Sequence, residues 1–180
     1  MNQLPTSNHI VPSNNDRSAK GHTLSVFVNN KPGVLMRICQ VFARRAYNID
    51  SLVVSYENDN RQSRMTIDVI GDPEGLTQII NQINRLIDVI HCIEHTTDDA
   101  VIMELALIKI LAPSESFVNI SQIINHFEGK TIDMNEGTLI VMFQGSPKQI
   151  DWSLQLLSKY DIVEIVRTGK IAMARSNFVT

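Results

Sequence analysis

Residues 23–50 read TLSVFVNNKPGVLMRICQVFARRAYNID, and they contain a strand, a turn and a helix in immediate succession. Residues 23–28 are rich in apolar and β-branched side chains, which favours a strand, and residues 29–33 predict a turn. Apolar residues then recur at the spacing of one helix face. These residues are Val34, Leu35, Ile38, Val41, Phe42 and Ala46. The stretch therefore predicts a β-turn-α unit, and its neighbours decide which fold contains it.

The segments after this unit predict a hairpin, a second helix and a further strand. Two β-type runs flank a polar turn, and an aspartate followed by a proline is typical of a helix start. The hairpin covers residues 49–56, 57–60 and 63–70, the helix follows Asp72 with a stripe that extends to Leu86 and Ile87, and the strand covers residues 89–95. The resulting order of elements is βαββαβ.

The second half of the chain repeats this order with almost no similarity between matching residues. Its elements are a strand at residues 101–111, a helix that ends at Gly129, a hairpin at residues 131–143, a helix capped by Ser146, and a strand at residues 161–168. We therefore expect an α+β protein with two consecutive ferredoxin-like βαββαβ modules. Each module should carry its helices on one face of an antiparallel sheet.

Polar segments mark the ends of the two modules. Residues 1–21 are rich in Asn, Ser and Pro and lack a periodic apolar pattern, so they predict a disordered leader. Residues 96–100 predict a linker between a first domain at residues 22–96 and a second domain at residues 101–180. A small open sheet has exposed edges and one uncovered face, and we therefore expect at least a homodimer.

The composition excludes several classes of protein. The net charge is −3 and no run of Lys and Arg is longer than a pair, which argues against a nucleic-acid or anionic-membrane partner. Cys39 and Cys92 both lie in apolar periodic segments, which fits a reducing compartment better than a disulfide framework. No segment resembles a signal peptide or a membrane span. We expect a cytoplasmic protein, with an organelle address in the leader as the alternative.

Several short motifs stand out in the first module. They are NKPGVL at residues 30–35, YNIDSL at residues 47–52, SRMTI at residues 63–67, GD at residues 71–72 and IDV at residues 87–89. Together they resemble the ACT domain of acetohydroxyacid synthase (acetolactate synthase) regulatory subunits. The combination of the second and third motifs is specific, whereas each motif alone is weak.

The second module carries further motifs of the same family. ELALIK at residues 104–109, IVEI at residues 162–165 and RTG at residues 167–169 resemble its C-terminal, ACT-like domain. The resemblance thus covers everything except the leader. Two departures are Ala46, where the family usually has Gly, and Thr168, where it more often has Ser.

The resemblance implies a regulatory subunit without catalytic residues. Such a subunit joins a thiamine-diphosphate enzyme that condenses pyruvate with pyruvate or 2-oxobutyrate, raises its activity, and confers feedback inhibition, usually by valine, in valine, leucine and isoleucine biosynthesis. Thiamine diphosphate and Mg, and FAD where it is used, would belong to the catalytic subunit. The sequence has no phosphate loop, nucleophile elbow or paired-carboxylate pattern, which also favours regulation over catalysis.

The loop at residues 30–33 is the candidate amino-acid site. It leads into a helix, whose free N–H groups and positive dipole end favour a carboxylate. Gly33 lets the backbone approach a ligand closely, and the Asn30 amide can donate and accept hydrogen bonds. The resemblance implies that Asn30 and Gly33, with the adjoining Val34, bind valine or a similar effector together with Asn48 of the neighbouring protomer.

Other interpretations of the same residues stay open. Without the family resemblance, residues 30–33 are a turn and a helix start, and Asn48 is a residue that tolerates an unusual φ. Arg64 is as readily a solvated charge on an edge strand as a functional contact. Residues 91–95, HCIEH, include metal-binding types but lack the further ligands of a zinc site, so we expect no metal.

Two other functions remain to be tested against the regulatory subunit. One is a free-standing amino-acid sensor of the same fold that controls some other protein. The other is an enzyme that acts alone, which would require acetolactate formation by the purified chain.

Overall fold

The computed structural model of the chain describes residues 20–57 and 60–175. The first module comprises β1 (Lys20–Asn29), α1 (Val34–Arg44), β2 (Ile49–Tyr56), β3 (Gln62–Gly71), α2 (Pro73–Ile83) and β4 (Val89–His95). The second comprises β5 (Ala100–Leu111), α3 (Ser114–His126), β6 (Lys130–Asn135), β7 (Thr138–Gly145), α4 (Pro147–Leu157), β8 (Ile162–Arg167) and β9 (Ile171–Ala174). The predicted α+β class with two consecutive ferredoxin-like βαββαβ modules is confirmed.

Both sheets are antiparallel and have the same strand order. The first sheet runs β2-β3-β1-β4, and the second runs β6-β7-β5-β8. Strand β9 was not predicted, and it pairs with residues 100–103 at the start of β5. This pairing extends β5 beyond the length that a four-stranded module needs.

One face of each sheet is covered by the two helices of its module. Alternate residues of the central strands point to that face, because side chains alternate along a strand. In the first module these residues are Leu24, Val26 and Val28 of β1, packed with Ile38 and Phe42 of α1 and Ile79 of α2. In the second module they are Ala106, Ile108 and Ile110 of β5, packed with Ile120 of α3 and Ile150 of α4.

Helix α1 ends in a Schellman motif centred on Ala46. The N–H of Ala46 donates to Ala43 O at 3.1 Å, and the N–H of Tyr47 donates to Phe42 O at 3.1 Å. This motif needs a left-handed residue, and Ala46 has a φ of +56°. Ala46 is therefore outside the helix, not part of its stripe as predicted. A left-handed conformation favours glycine over any residue with a Cβ, so Ala46 is held there at some cost.

Helix α3 ends before the glycine that was predicted to end it. The helix stops at His126, and Glu128 takes the left-handed position with a φ of +53°. The prediction that Gly129 ends the helix was therefore wrong. Gly129 has a packing role instead, because an added Cβ would lie 2.6 Å from the Phe143 ring.

The predicted start of α2 is confirmed, but the predicted end is wrong. The Asp72 carboxylate accepts a hydrogen bond from Gly75 N at 2.6 Å. The helix ends at Ile83, where the amide of Asn84 bonds the backbone of Cys92 in both directions. Leu86 therefore lies in a turn, and the following residue, Ile87, is 94% exposed.

The remaining helix and the leader give two further outcomes. Ser146 and Gln149 form the predicted capping box at the start of α4. Residues 1–19 of the predicted leader lie outside the described residues. Lys20 and Gly21, which were assigned to the leader, begin β1 and pair with Gly71 and Ile70 of β3.

The second module covers part of the other face of the first sheet. Thr23 and Asp68 on that face are each only 5% exposed. Gly169 lies so close to Ser51 that an added Cβ would be 2.8 Å from the Ser51 side chain. Part of the face that we expected a second copy to cover is thus covered within one chain.

Candidate functional site

The loop between β1 and α1 is held by the segments on both sides of it. The N–H of Asn29 donates to Asp88 O at 2.8 Å, in the turn before β4. The N–H of Asn30 donates to Arg61 O at 2.7 Å, in the turn before β3. Two turns from distant parts of the sequence therefore fix where the loop begins.

Gly33 forms the N-cap of α1 with a φ of +84°. No other atom would lie within 4 Å of a Cβ at this position, so the backbone conformation, not crowding, favours glycine. Among the described residues no side chain caps α1 or α3, whereas Asp72 caps α2 and Ser146 caps α4. The N–H of Val34, the first residue of α1, donates to Lys31 O at 3.3 Å. The next N–H groups of the first turn, those of Leu35 and Met36, face an open, positively polarised corner.

Asn30 and Val34 differ in what they can offer a ligand. Asn30 is exposed, and its Nδ2 donates to Asn60 O at 3.0 Å, which leaves its Oδ1 without a partner among the described residues. Val34 is only 3% exposed and belongs to the core of the module. Its side chain therefore shapes the base of the corner and does not reach the loop surface.

An ion-pair cluster surrounds the same corner. Lys31 Nζ lies 2.9 Å from Asp88 Oδ1, and Arg37 Nη2 lies 2.6 Å from Asp88 Oδ2. The hydrogen bond from Lys31 holds the pKa of the Asp88 carboxyl below its ordinary value, and the charge of Arg37 acts in the same direction. Two cations and one carboxylate leave one net positive charge beside the start of α1.

Sequence reasoning did not identify this cluster. Lys31 and Asp88 lie within motifs quoted for the family resemblance, but they are 57 positions apart. Nothing in the order of residues says that the turn before β4 meets the turn after β1. A charge count within those motifs is the signal that could have suggested the pairing.

Asn48 lies at the opposite end of the first sheet. Residue Asn29 pairs with Gln62 at the start of β3, whereas Ile49 pairs with Val69 near its end. Seven residues of β3 separate these positions, which corresponds to about 23 Å. Within one chain Asn48 therefore does not meet Asn30 or Gly33, and its predicted role needs a second copy.

The alternative interpretation of Asn48 is wrong. Among the described residues the left-handed position before β2 is occupied by Ala46, and Asn48 does not have a positive φ. Asn48 is exposed, and its Nδ2 lies 3.4 Å from Asp50 Oδ1. Its amide is thus only weakly engaged within the chain.

Arg64 is not a solvated charge on an edge strand. Strand β3 is an inner strand of the first sheet, and the Arg64 side chain is only 19% exposed. Its Nη2 donates to Glu57 Oε1 at 2.7 Å, and its guanidinium lies 5.6 Å from the centroid of the Phe27 ring. These contacts give Arg64 a structural role on the face of the sheet away from the helices.

The residues of the HCIEH segment do not converge. Cys92 points into the core, and burial raises the pKa of its thiol to about 12. His91 packs against Phe27 with ring centroids 5.3 Å apart. In residues 20–57 and 60–175, no three His, Cys, Asp or Glu side chains are grouped as a metal site would require.

The helices of the same ranges include none with the length and apolar character of a membrane span.

Two family models match the chain in consecutive segments. Residues 24–91 match an AHAS small subunit-like ACT domain, and residues 103–176 match the small subunit of acetolactate synthase. These segments correspond to the two modules of the fold.

Named relatives of similar length also match. A probable acetolactate synthase small subunit of Archaeoglobus fulgidus is 39% identical over 156 residues, which cover 87% of this chain and 98% of that protein. An acetolactate synthase small subunit of Mycolicibacterium smegmatis is 40% identical over 154 residues, 86% of this chain and 91% of that protein. The crystal structure of an acetolactate synthase small subunit from Thermotoga maritima superposes with a TM-score of 0.79 at 34% identity, and the match covers 88% of this chain and 99% of that one.

Proposed function

The chain belongs to the family of acetolactate synthase small subunits, and on this premise we propose that it is a non-catalytic regulatory subunit of that enzyme. It binds a separate catalytic subunit, raises its activity, and confers feedback inhibition by a branched-chain amino acid, with valine as the effector. Its role lies in valine, leucine and isoleucine biosynthesis. The observation that carries the proposal is the uncapped start of α1 at Gly33, which offers free N–H groups to a carboxylate.

The charge and polarity of the corner suit an amino acid. The effector carboxylate accepts hydrogen bonds from the first turn of α1 and is attracted by the net positive charge of the cluster formed by Lys31, Arg37 and Asp88. The free Oδ1 of Asn30 accepts a hydrogen bond from the effector ammonium group. These contacts recognise the carboxylate and the ammonium group, which all amino acids share. The preference for one amino acid therefore depends on the side chain of the effector.

The proposed site is completed by a second copy of the chain. Asn48 lies at the far end of its own sheet and is exposed. It is therefore available to the corner between β1 and α1 of a neighbouring protomer, which contains Asn30 and Gly33. A homodimer that pairs the first modules brings these two residues together. Effector binding then depends on how the two protomers are arranged.

Effector binding selects one arrangement of the paired modules. A ligand shifts such an equilibrium only by its difference in affinity for the two arrangements, which is typically about 1 to 3 kcal/mol. We therefore expect partial inhibition of the catalytic subunit. Thiamine diphosphate and Mg, and FAD where it is used, belong to that subunit and not to this chain.

Reconstitution tests the proposal. The purified chain is mixed with the catalytic subunit from the same genome, and acetolactate formation is measured with and without valine, leucine and isoleucine. Higher turnover in the mixture and a fall with valine are expected. If the mixture has the turnover and valine response of the catalytic subunit alone, the proposal is wrong. Valine binding without an effect on turnover would indicate a free-standing sensor.

A further inference from the structure

We propose that Asp88 is a positioning residue for the effector, because it fixes the shape of the corner formed by residues 29–33 and the first turn of α1. This inference rests on the proposed function of that corner. Asp88 touches no effector atom in this proposal. It acts through the loop and the helix start that it holds.

Three bonds from Asp88 reach three successive parts of the corner. Its backbone oxygen accepts from Asn29 N at 2.8 Å, at the end of β1. Its Oδ1 accepts from Lys31 Nζ at 2.9 Å, in the middle of the loop. Its Oδ2 accepts from Arg37 Nη2 at 2.6 Å, at the first turn of α1. One residue thus connects the strand, the loop and the helix that form the site.

Burial makes this connection specific. The Asp88 side chain is only 8% exposed, whereas the side chains of Lys31 and Arg37 are 62% and 47% exposed. A buried carboxylate is costly unless it is paired and hydrogen bonded, so the two cations are drawn inward to it. The loop and the helix start follow the cations, because Lys31 and Arg37 belong to them.

A purely electrostatic role predicts a different result. The Asp88 carboxylate also repels an incoming effector carboxylate, so its removal would raise the net charge of the cluster from one to two. If attraction alone mattered, the loss of this charge would strengthen effector binding. If position matters, the substitution releases Lys31 and Arg37 from their anchor. The N–H groups of the first turn of α1 then no longer converge, and effector binding weakens. The two roles therefore predict shifts of opposite sign.

Two substitutions separate these roles. Asp88→Asn removes the charge at nearly constant size, and Asp88→Glu keeps the charge but moves the carboxylate by one methylene. The positioning role predicts a higher valine concentration at half-inhibition in both variants, by roughly threefold or more. The electrostatic role predicts a lower concentration for Asp88→Asn and no change for Asp88→Glu.

The valine midpoint is measured in the reconstituted complex, and each rate is divided by that variant's own rate without valine. Asp151→Asn is the matched control, because it removes a carboxylate that pairs with Arg167 at 2.7 Å in the second module. Its midpoint should equal that of the unsubstituted chain. Circular dichroism verifies that each variant is folded. If Asp88→Asn does not fold, Asp88→Glu decides alone, because it keeps the net charge of the cluster and changes only the position of the carboxylate.

The outcomes distinguish this inference from the proposed function. If the complex with the unsubstituted chain shows no valine response, the proposed function fails, and no valine concentration at half-inhibition can be measured. If the unsubstituted chain responds and the midpoints of folded Asp88→Asn and Asp88→Glu are unchanged, or the former is lowered, Asp88 is not a positioning residue.

Discussion

Lys170 Nζ lies 3.1 Å from Asp68 Oδ1 and joins the second module to the first. The Asp68 side chain is only 7% exposed and also accepts hydrogen bonds from Thr23 Oγ1 at 2.7 Å and Ser51 Oγ at 2.5 Å. Lys170 follows Gly169, whose close approach to Ser51 brings the lysine over the first sheet. A buried carboxylate of the first module is thus paired with a cation from the second module.

Replacement of Lys170 by Met should destabilise the chain. The change leaves the Asp68 carboxylate buried without a cation, and Lys170 is itself 27% exposed, so we expect a loss of about 1–3 kcal/mol in the free energy of unfolding. Urea denaturation measures this loss. Lys109→Met is the control, since Lys109 pairs with Glu164 on the surface and should contribute about 0–1 kcal/mol. Equal losses in the two variants would show that the contact between modules adds nothing.

Ala46→Gly should stabilise the protein. Ala46 has a φ of +56°, a conformation that disfavours any side chain with a Cβ. Glycine removes that strain but gains entropy in the unfolded chain, and we expect a net increase of about 0.5–1 kcal/mol in the free energy of unfolding. Ala43→Gly, within α1, should instead lower this free energy by a similar amount. A destabilised Ala46→Gly variant would contradict the Schellman conformation at this position.

Gly33→Asp should abolish valine inhibition. It places a carboxylate beside the site of the effector carboxylate, at a φ of +84° that aspartate adopts less readily than glycine. Gly137→Asp provides a matched control, because Gly137 also has a positive φ, +76°, and open space around its Cβ position, but lies in the turn of the second module. Valine titration of the reconstituted complex should give a normal curve for the control. A normal curve for Gly33→Asp would exclude the corner as the effector site.

Asn48→Ala should shift valine inhibition to higher concentrations without abolishing it. The substitution removes one amide from the proposed shared site and leaves the Gly33 corner intact. A right-shifted inhibition curve of the reconstituted complex is the expected result. An unshifted curve would remove Asn48 from the site.

Acid should weaken the fold in part through Asp88. The hydrogen bond from Lys31 lowers the pKa of Asp88 from its ordinary value of 3.8, so this group stabilises the fold fully above that value. The contribution is lost as the pH falls through the folded-state pKa. The free energy of unfolding should therefore fall more steeply for the unsubstituted chain than for Asp88→Asn between about pH 5 and about pH 2. Parallel profiles would show that Asp88 keeps its ordinary pKa on folding.

The sequence by itself determined the elements other than β9 and several of their ends. The bounds predicted for β2 and β4 agree with Ile49–Tyr56 and Val89–His95, and the caps at Asp72 and Ser146 were predicted correctly. These features depend on contacts within a few residues, which periodicity and capping residues report directly. The errors at Ala46 and Glu128 arose because a left-handed position usually identifies itself by glycine, and here it does not.

Only the tertiary structure decided which distant residues meet. The pairing of β9 with β5, the contact of Lys170 with Asp68, and the cluster of Lys31, Arg37 and Asp88 join positions far apart in the chain. Such contacts follow from sheet register and from the packing of one module on the other, and no local pattern encodes them. The register of β2 on β3 also places Asn48 at the far end of the sheet from Gly33. Two residues that the family resemblance assigned to one site are therefore apart within one chain.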